Sequence, residues 1–186
     1  MYKSIRIQLD MLNKLMEKSP RRAHNKFKKL FQEHKSPRAL FGLAVSLNKL
    51  AMSSSDPHEA AKLQSKAADK FCQVMSLNMV PLFLFLSTGR TCLELRRHRQ
   101  ERGQLIKALK MMKSQFPNAF EYPSELAYEY MKERQFIKAI EEMKAILIRW
   151  PQKAGKEKVL IAIALKWLKF KGKKYVKIGE FFCKFQ

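Results

Sequence analysis

Four histidines are the residues of this chain best suited to metal or acid–base chemistry: His24, His34, His58 and His98. A metal-dependent active site needs at least two imidazoles, usually with a carboxylate, converging on one ion. The histidines do not form a pair at metal-ligand spacing, and the nearest combination is His98 with Glu101, about one helical turn away. We therefore predict surface or helix-capping roles for all four, with no metal ligand and no catalytic residue in this chain.

Nucleophilic and phosphate-binding motifs are also missing from the sequence. Cys72, Cys92 and Cys183 stand far apart in apolar contexts, with no close pair to suggest a zinc site or a disulfide framework. We predict that they are buried free thiols. The six glycines are isolated from one another, so no glycine-rich loop could cradle a phosphate. These absences favour a binding role over catalysis.

The most regular set of carboxylates steps down one face of a predicted helix. Its members follow one another at i+4 spacing: Glu121, Glu125, Glu129 and Glu133. This spacing aligns them in a single stripe. We interpret the stripe as a solvated or groove-facing surface rather than as catalytic acids.

Basic residues dominate the charge of the chain, with 38 Lys and Arg against 16 Asp and Glu and a formal net charge of +22. Residues 1–50 contribute +9 and residues 151–186 contribute +8. Such a field favours acidic partners of any kind. A basic nucleic-acid-binding solenoid is one alternative, since Trp167, Phe170 and Tyr175 are interleaved with lysines. At helical spacing these aromatic residues fit a core or groove better, so we favour an acidic protein or peptide as the partner over nucleic acid.

The composition favours helices and a folded core. Hydrophobic residues make up 46% of the 186 positions, and the scarcity of Gly (6) and Pro (7) argues against an all-β fold. The longest apolar run, residues 79–86, is well short of the roughly 20 residues that a membrane span needs. The first residues lack the uninterrupted apolar core of a signal peptide, and the sequence assigns no compartment.

A 34-residue repeat is the main organising pattern. Pro117 and Pro151 lie 34 residues apart, and each follows an aromatic residue, Phe116 or Trp150. The residues between them follow the large, small and aromatic order of a tetratricopeptide repeat, in which small residues let two helices approach closely. We assign repeat packing to Leu126, Ala127, Tyr130, Ala139, Met143, Ile146 and Pro151.

The same pattern extends in both directions and predicts an all-α, tetratricopeptide-type right-handed α-solenoid of about four helix pairs in one domain, residues 1–186. Ser-Pro or Asp-Pro sequences mark helix starts at Pro20, Pro37 and Pro57. The predicted pairs cover residues 4–35, 36–78, 81–117 and 119–151, with a final pair at 158–186. That last pair looks truncated, because no helix follows to cover the apolar face of Ile178, Phe182 and Phe185.

First helices of such pairs usually line the concave, ligand-binding face of the array. From the phase that Leu126 and Tyr130 set, we predict partner contacts at Glu125 and Glu129, and also at Lys132. The predicted function is therefore a peptide- or protein-binding repeat module.

Several runs of residues resemble the tetratricopeptide region of the aspartyl/asparaginyl β-hydroxylase family. They are Ala23-His24-Asn25-Lys26-Phe27-Lys28-Lys29-Leu30, Ser36-Pro37-Arg38-Ala39-Leu40-Phe41-Gly42, Arg102-Gly103-Gln104-Leu105 and Gln115-Phe116-Pro117-Asn118. The similarity covers about residues 20–185. It implies a lumenal repeat region of a protein anchored in the endoplasmic reticulum membrane, acting on epidermal-growth-factor-like substrates.

Members of that family end in a dioxygenase domain that uses iron and 2-oxoglutarate to hydroxylate Asp or Asn. This chain resembles only the repeat region, without the anchor and the catalytic domain. One alternative is therefore a partial chain of such a dioxygenase, whose catalytic domain lies downstream and alone holds the cofactors. We expect no catalysis and no cofactor in this chain itself.

Overall fold

A computed structural model describes residues 2–77 and 80–170 of the chain. Within these ranges it has nine helices and no strand. The helices are α1 (Tyr2–Lys18), α2 (Pro20–His34), α3 (Pro37–Ser53), α4 (Pro57–Met75), α5 (Leu82–His98), α6 (Arg102–Gln115), α7 (Glu121–Lys132), α8 (Phe136–Arg149) and α9 (Gly155–Phe170). The division of these helices into pairs at residues 4–35, 36–78, 81–117 and 119–151 stays a prediction. The predicted helix with Ile178, Phe182 and Phe185 lies outside the described residues.

Proline fixes where three of these helices begin. α2, α3 and α4 start at Pro20, Pro37 and Pro57. Proline is suited to the first position of a helix because its ring fixes φ near the helical value, and the N–H that it lacks would have no partner within the helix. The Asp56 carboxylate also caps α4, accepting a hydrogen bond of 2.9 Å from the His58 backbone N–H. Ser19 and Ser36 make no such bond, so proline rather than a side-chain cap sets the start of α2 and α3.

The chain divides into two compact units, Met1–Ala108 and Leu109–Gln186. In the first unit, α1, α2 and α3 enclose an apolar core. Its buried members include Leu9, Leu12, Met16, Ala23, Phe27, Leu30, Ala39, Leu40 and Leu43. Gly42 of α3 lies directly against the Phe27 ring, so close that a Cβ atom there would sit 2.3 Å from Phe27 Cε1. Glycine thus sets the separation of α2 and α3.

A cluster of ion pairs around the buried Arg96 joins α4 to the turn between α5 and α6. Arg96, only 3% exposed, pairs with Asp69 of α4 and with Glu101. Arg99 Nε donates to Glu101 Oε1 at 2.6 Å, and Ser65 Oγ donates to the same oxygen at 3.2 Å. Burial acts to raise the pKa of Glu101, but the hydrogen bonds and charges of Arg99 and Arg96 outweigh it and hold that pKa below its usual value.

A disulfide links α4 to α5 in the first unit. It joins Cys72 to Cys92, whose Cα atoms lie 6.2 Å apart. The prediction of free thiols was wrong for this pair. α4 and α5 pack against each other and bring together two cysteines that are 20 positions apart in the sequence. Cys183 lies outside the described residues.

In the second unit, α7 and α8 form the helix pair on which the repeat pattern is clearest. Six of the seven residues assigned to repeat packing are buried, namely Leu126, Ala127, Tyr130, Ala139, Met143 and Ile146. Pro151 is exposed in the turn that follows α8. α9 packs against α8, with Ala164 beside Phe136 and Ile140.

Two turns repeat the same backbone geometry 34 residues apart. Gln100, after α5, and Arg134, after α7, both have φ of 55°, the left-handed conformation common just past a helix C-terminus. In each turn the next backbone N–H donates to the carbonyl five residues earlier, from Glu101 to Arg96 and from Gln135 to Tyr130. The repeat is thus visible in the backbone as well as in the sequence.

The described helices include none that is long and apolar enough to cross a membrane.

Candidate partner-binding site

The face of α7 holds the three residues that the sequence pattern predicts as partner contacts. Glu125 is half-buried and Glu129 is 3% exposed. Glu129 Oε1 accepts a 2.8 Å hydrogen bond from Lys132 Nζ, which also lies 4.3 Å from the centre of the Tyr128 ring. The Glu129 carboxylate is therefore already engaged within α7, and the accessible groups here are Lys132 and Tyr128. The role of the three residues in partner binding stays a prediction.

A groove between α1 and α2 offers a concave surface in the first unit. It has a volume of about 670 Å³. Its floor is apolar and consists of Met11, Leu12 and Leu15 from α1 with Leu30 from α2. Met11 is 65% exposed, although the other three side chains are buried or half-buried. An unbranched, exposed methionine on such a floor can adapt to different apolar partners.

Lysines line both sides of this groove. Lys14 and Lys18 stand on α1, and Lys26 and Lys29 stand on α2. The one acidic lining residue, Glu33, lies 4.0 Å from Lys29, at the i+4 position of the same helix. The groove therefore combines an apolar floor with a cationic rim.

The α1–α2 groove was missed at the sequence level, although its pattern is present there. Met11, Lys14, Leu15 and Lys18 recur at i, i+3, i+4 and i+7, so one face of α1 mixes apolar and basic residues. The predicted contacts follow the phase of α7, and α1 has no alanine and no aromatic residue after Tyr2 to mark a repeat.

A second pocket, of about 580 Å³, is formed by α2, α3 and α4. Each helix contributes an i, i+4 pair of side chains: His24 and Lys28, Leu43 and Leu47, and Lys66 and Lys70, respectively. Phe31, Gln32 and Asp69 complete the lining. On α2 these residues lie on the side of the helix opposite to Lys26 and Lys29, so this pocket and the α1–α2 groove occupy opposite faces of α2.

The histidines do not gather around a common point. His34, His58 and His98 are exposed, whereas His24 is half-buried, and its Nδ1 lies 3.1 Å from Ser46 Oγ. The predicted surface or capping role was therefore wrong for His24, because its face of α2 packs on α3. Among the described residues, no group of three His, Cys, Asp or Glu side chains could hold a metal ion.

Comparisons with known proteins bear on the fold alone. The chain matches no protein-family model and no curated protein. Among solved structures it is similar to the crystal structure of MamA protein, at 16% identity and a TM-score of 0.51 over 91% of this chain and 90% of that one. A MamA RS-1 ArsTM double mutant gives 16% and 0.46 over 88% and 94%. TTC0263, a thermophilic TPR protein in Thermus thermophilus, gives 15% and 0.42 over 84% and 88%.

The likeness to MamA, together with the paired helices, confirms the predicted fold class, an all-α helical repeat of the tetratricopeptide type. None of the comparisons supports the resemblance to the aspartyl/asparaginyl β-hydroxylase family.

Proposed function

We propose that this chain is a helical-repeat module that binds another polypeptide, and that the α1–α2 groove receives an acidic amphipathic helix of the partner. The observation that carries the proposal is the apolar floor of Met11, Leu12, Leu15 and Leu30 between two rows of lysines. Amphipathic helices bind such grooves through apolar residues at i, i+3, i+4 and i+7. Acidic residues on both flanks of the bound helix would face the lysines.

The dimensions of the groove support an occupant of this size. Its lining on α1 runs from Gln8 to Lys18, which at 1.5 Å per residue is about 15 Å. A bound helix of about three turns would match that length. Covering the exposed Met11 side chain would contribute up to roughly 1.5–3 kcal/mol, the value for burying a whole apolar side chain. Each rim ion pair would add about 0.2–1 kcal/mol, so the four lysines together would contribute an amount comparable to that of Met11.

The composition of the groove favours a polypeptide over nucleic acid. Non-specific nucleic-acid sites combine a basic track with aromatic side chains on which bases stack. Here the floor between the lysines is Met and Leu, which stack poorly on bases but pack well against the apolar side of a helix.

The direct test uses two designed helical peptides of about 14 residues with the same leucine stripe, flanked by Glu in one and by Lys in the other. Their binding to the purified chain is measured by fluorescence anisotropy. We expect the acidic peptide to bind more tightly, because it replaces repulsion at the lysine rim with attraction. The difference should shrink at high salt, which screens exposed charges. Equal binding of the two peptides would contradict the proposal.

Charge reversal locates the site. Lys14→Glu with Lys18→Glu should weaken binding of the acidic peptide by about 1–3 kcal/mol, or roughly 5- to 150-fold, since two attractive contacts become repulsive. The matched control is Lys62→Glu with Lys107→Glu, which changes the net charge equally at exposed positions outside the groove lining. Equal losses in both variants would show that bulk charge alone attracts the peptide. Tighter binding of a single-stranded RNA than of the acidic peptide would favour the nucleic-acid alternative.

A narrower proposal concerns the identity of the partner. The resemblance to the hydroxylase family suggests an epidermal-growth-factor-like module as ligand and the endoplasmic reticulum as location, and its support is the similar residue runs alone. A purified module of this kind should then compete with the acidic peptide. Failure to compete would remove this narrower proposal and leave the acidic-helix site intact.

A further inference from the structure

The pocket among α2, α3 and α4 contains a histidine whose protonation state is constrained by its neighbour. Ser46 is fully buried, and its hydroxyl donates to the Leu43 carbonyl oxygen at 2.7 Å. A hydroxyl has one hydrogen, so Ser46 Oγ can only accept from His24 Nδ1, 3.1 Å away. His24 in its neutral form therefore carries its hydrogen on Nδ1. Nε2 is left as the atom that gains or loses a proton.

Positive groups face this histidine from two helices. Lys28 stands one turn along α2, and Lys66 and Lys70 stand on α4, while the only acidic group in the lining is Asp69. Asp69 is already paired with the buried guanidinium of Arg96. The local charge of the pocket is therefore positive even when His24 is neutral.

The floor of the same pocket is apolar. Leu43 and Leu47 come from α3, and Phe31 comes from α2. An inorganic anion would contact the lysines and leave this floor unused. A ligand with both an anionic end and an apolar body would use both parts of the lining.

We propose that the pocket among α2, α3 and α4 binds a carboxylate attached to an aliphatic or aromatic group. Once protonated, His24 Nε2 donates a hydrogen bond to that carboxylate. The lysines hold the anionic end and the Leu43, Leu47 and Phe31 floor holds the apolar body. The site lies on the opposite face of α2 from the groove that receives the helix, so it does not depend on the proposed function.

Binding at this site takes up a proton. In the empty pocket, burial and then the charges of Lys28 and Lys66 lower the pKa of His24 from its usual value of 6.5. A bound carboxylate offsets the two lysines and accepts from Nε2–H, so it raises that pKa. By linkage, affinity increases as pH falls between the bound and free pKa values, by at most about tenfold per pH unit for one proton.

The test uses 4-phenylbutanoate as the probe and the intact chain as the protein. Calorimetric titration between about pH 5.5 and pH 8 keeps the probe ionised and spans the ordinary range of histidine titration. We expect the dissociation constant to fall several-fold toward the acid end, with proton uptake shown by buffers of different ionisation enthalpy. Two ligands separate the parts of the site: 4-phenylbutanol lacks the charge and inorganic phosphate lacks the apolar body. Both should bind at least tenfold more weakly than the probe.

Two variants separate His24 from the remaining charges. His24→Gln keeps a hydrogen-bond donor but cannot titrate in this range, so binding should become independent of pH. His58→Gln is the matched control, because His58 is exposed on α4 and does not line the pocket. It should retain the pH dependence of the unmodified chain.

Four results would overturn the proposal. Absence of probe binding at millimolar concentration removes the site. Phosphate binding as tight as that of the probe removes the carboxylate class. Persistence of the pH dependence in His24→Gln removes the role of His24. Nitrogen NMR shifts that place the neutral hydrogen on Nε2 would contradict the hydrogen-bond chain on which the role of Nε2 rests.

Discussion

Replacing Gly42 by alanine tests whether glycine sets the separation of α2 and α3. The new Cβ atom would lie 2.3 Å from Phe27 Cε1 and 2.6 Å from both Cδ1 and Cζ. Carbon atoms in contact normally lie about 3.5–4.0 Å apart, so the ring or the helix must move by more than 1 Å. Phe27 is fully buried in the core of the first unit.

Two opposing terms decide the magnitude. Alanine is favoured over glycine inside a helix by about 0.8–1.0 kcal/mol, whereas overpacking a core costs about 1–3 kcal/mol and occasionally more. A contact this short at a fully buried ring belongs at the upper end of that range. We therefore expect Gly42→Ala to lower the free energy of unfolding by roughly 1–2 kcal/mol in total.

The assay is urea unfolding followed by far-ultraviolet circular dichroism, with a matched glycine as control. Beyond its chain neighbours and the nearby backbone of α6, Gly103 has no atom within 4 Å of the position that a Cβ would take. Gly103→Ala should therefore not destabilise the chain, and should gain up to about 0.5 kcal/mol from helix propensity, because Gly103 lies in the first turn of α6. The double variant Gly42→Ala with Phe27→Leu should recover part of the loss, because leucine has no ring at the point of contact. If Gly42→Ala is as stable as the unmodified chain while Gly103→Ala is stabilised, the close approach of α2 and α3 does not limit packing.

Three further outcomes are expected. Because the folded-state pKa of Glu101 is depressed, this residue contributes stability that is present above the unfolded pKa of about 4.5 and is lost as pH falls through the folded value. Glu101→Gln should therefore reduce the loss of stability at acid pH, as measured by urea unfolding across a pH series. An unchanged loss would contradict the pairing of Glu101 with Arg96 and Arg99. If the α7 face contacts the partner, charge reversal of Glu125 together with Lys132 should change partner affinity with little change in melting temperature. Unaltered affinity would leave the α1–α2 groove as the site. The chain incubated with iron, 2-oxoglutarate and an epidermal-growth-factor-like peptide should release no succinate above background, and robust turnover would show that it has a catalytic site of its own.

The helices of this fold could be predicted because their signals are local. Proline at the first helical position marks the starts of α2, α3 and α4, and a 3.6-residue apolar period gives the buried faces. The residues around Leu126 and Ala139 could be placed in the core because a tetratricopeptide repeat spaces them within 34 positions.

Contacts between helices could not be read in the same way. Ser46 lies 22 residues from His24, and Asp69 lies 27 residues from Arg96. Whether such residues meet depends on the rotation and crossing angle of two helices, which the packing of all their side chains sets together. The burial of Glu129 shows the same limit, since its i+4 spacing suggested a solvated or groove-facing stripe while the structure leaves it 3% exposed.

The turns at Gln100 and Arg134 define a segment that can be exchanged as a module. Each turn has the same left-handed residue and the same hydrogen bond to the carbonyl five residues back, so residues 101–134 begin and end in matching backbone geometry. Duplicating or deleting this segment would join the chain at equivalent points, with no new loop to close and no change in the direction of the backbone at the junction. Repeat arrays lengthen and shorten by such whole-unit changes. In this chain the turns at Gln100 and Arg134 are therefore matched points between which a 34-residue unit could be inserted or removed.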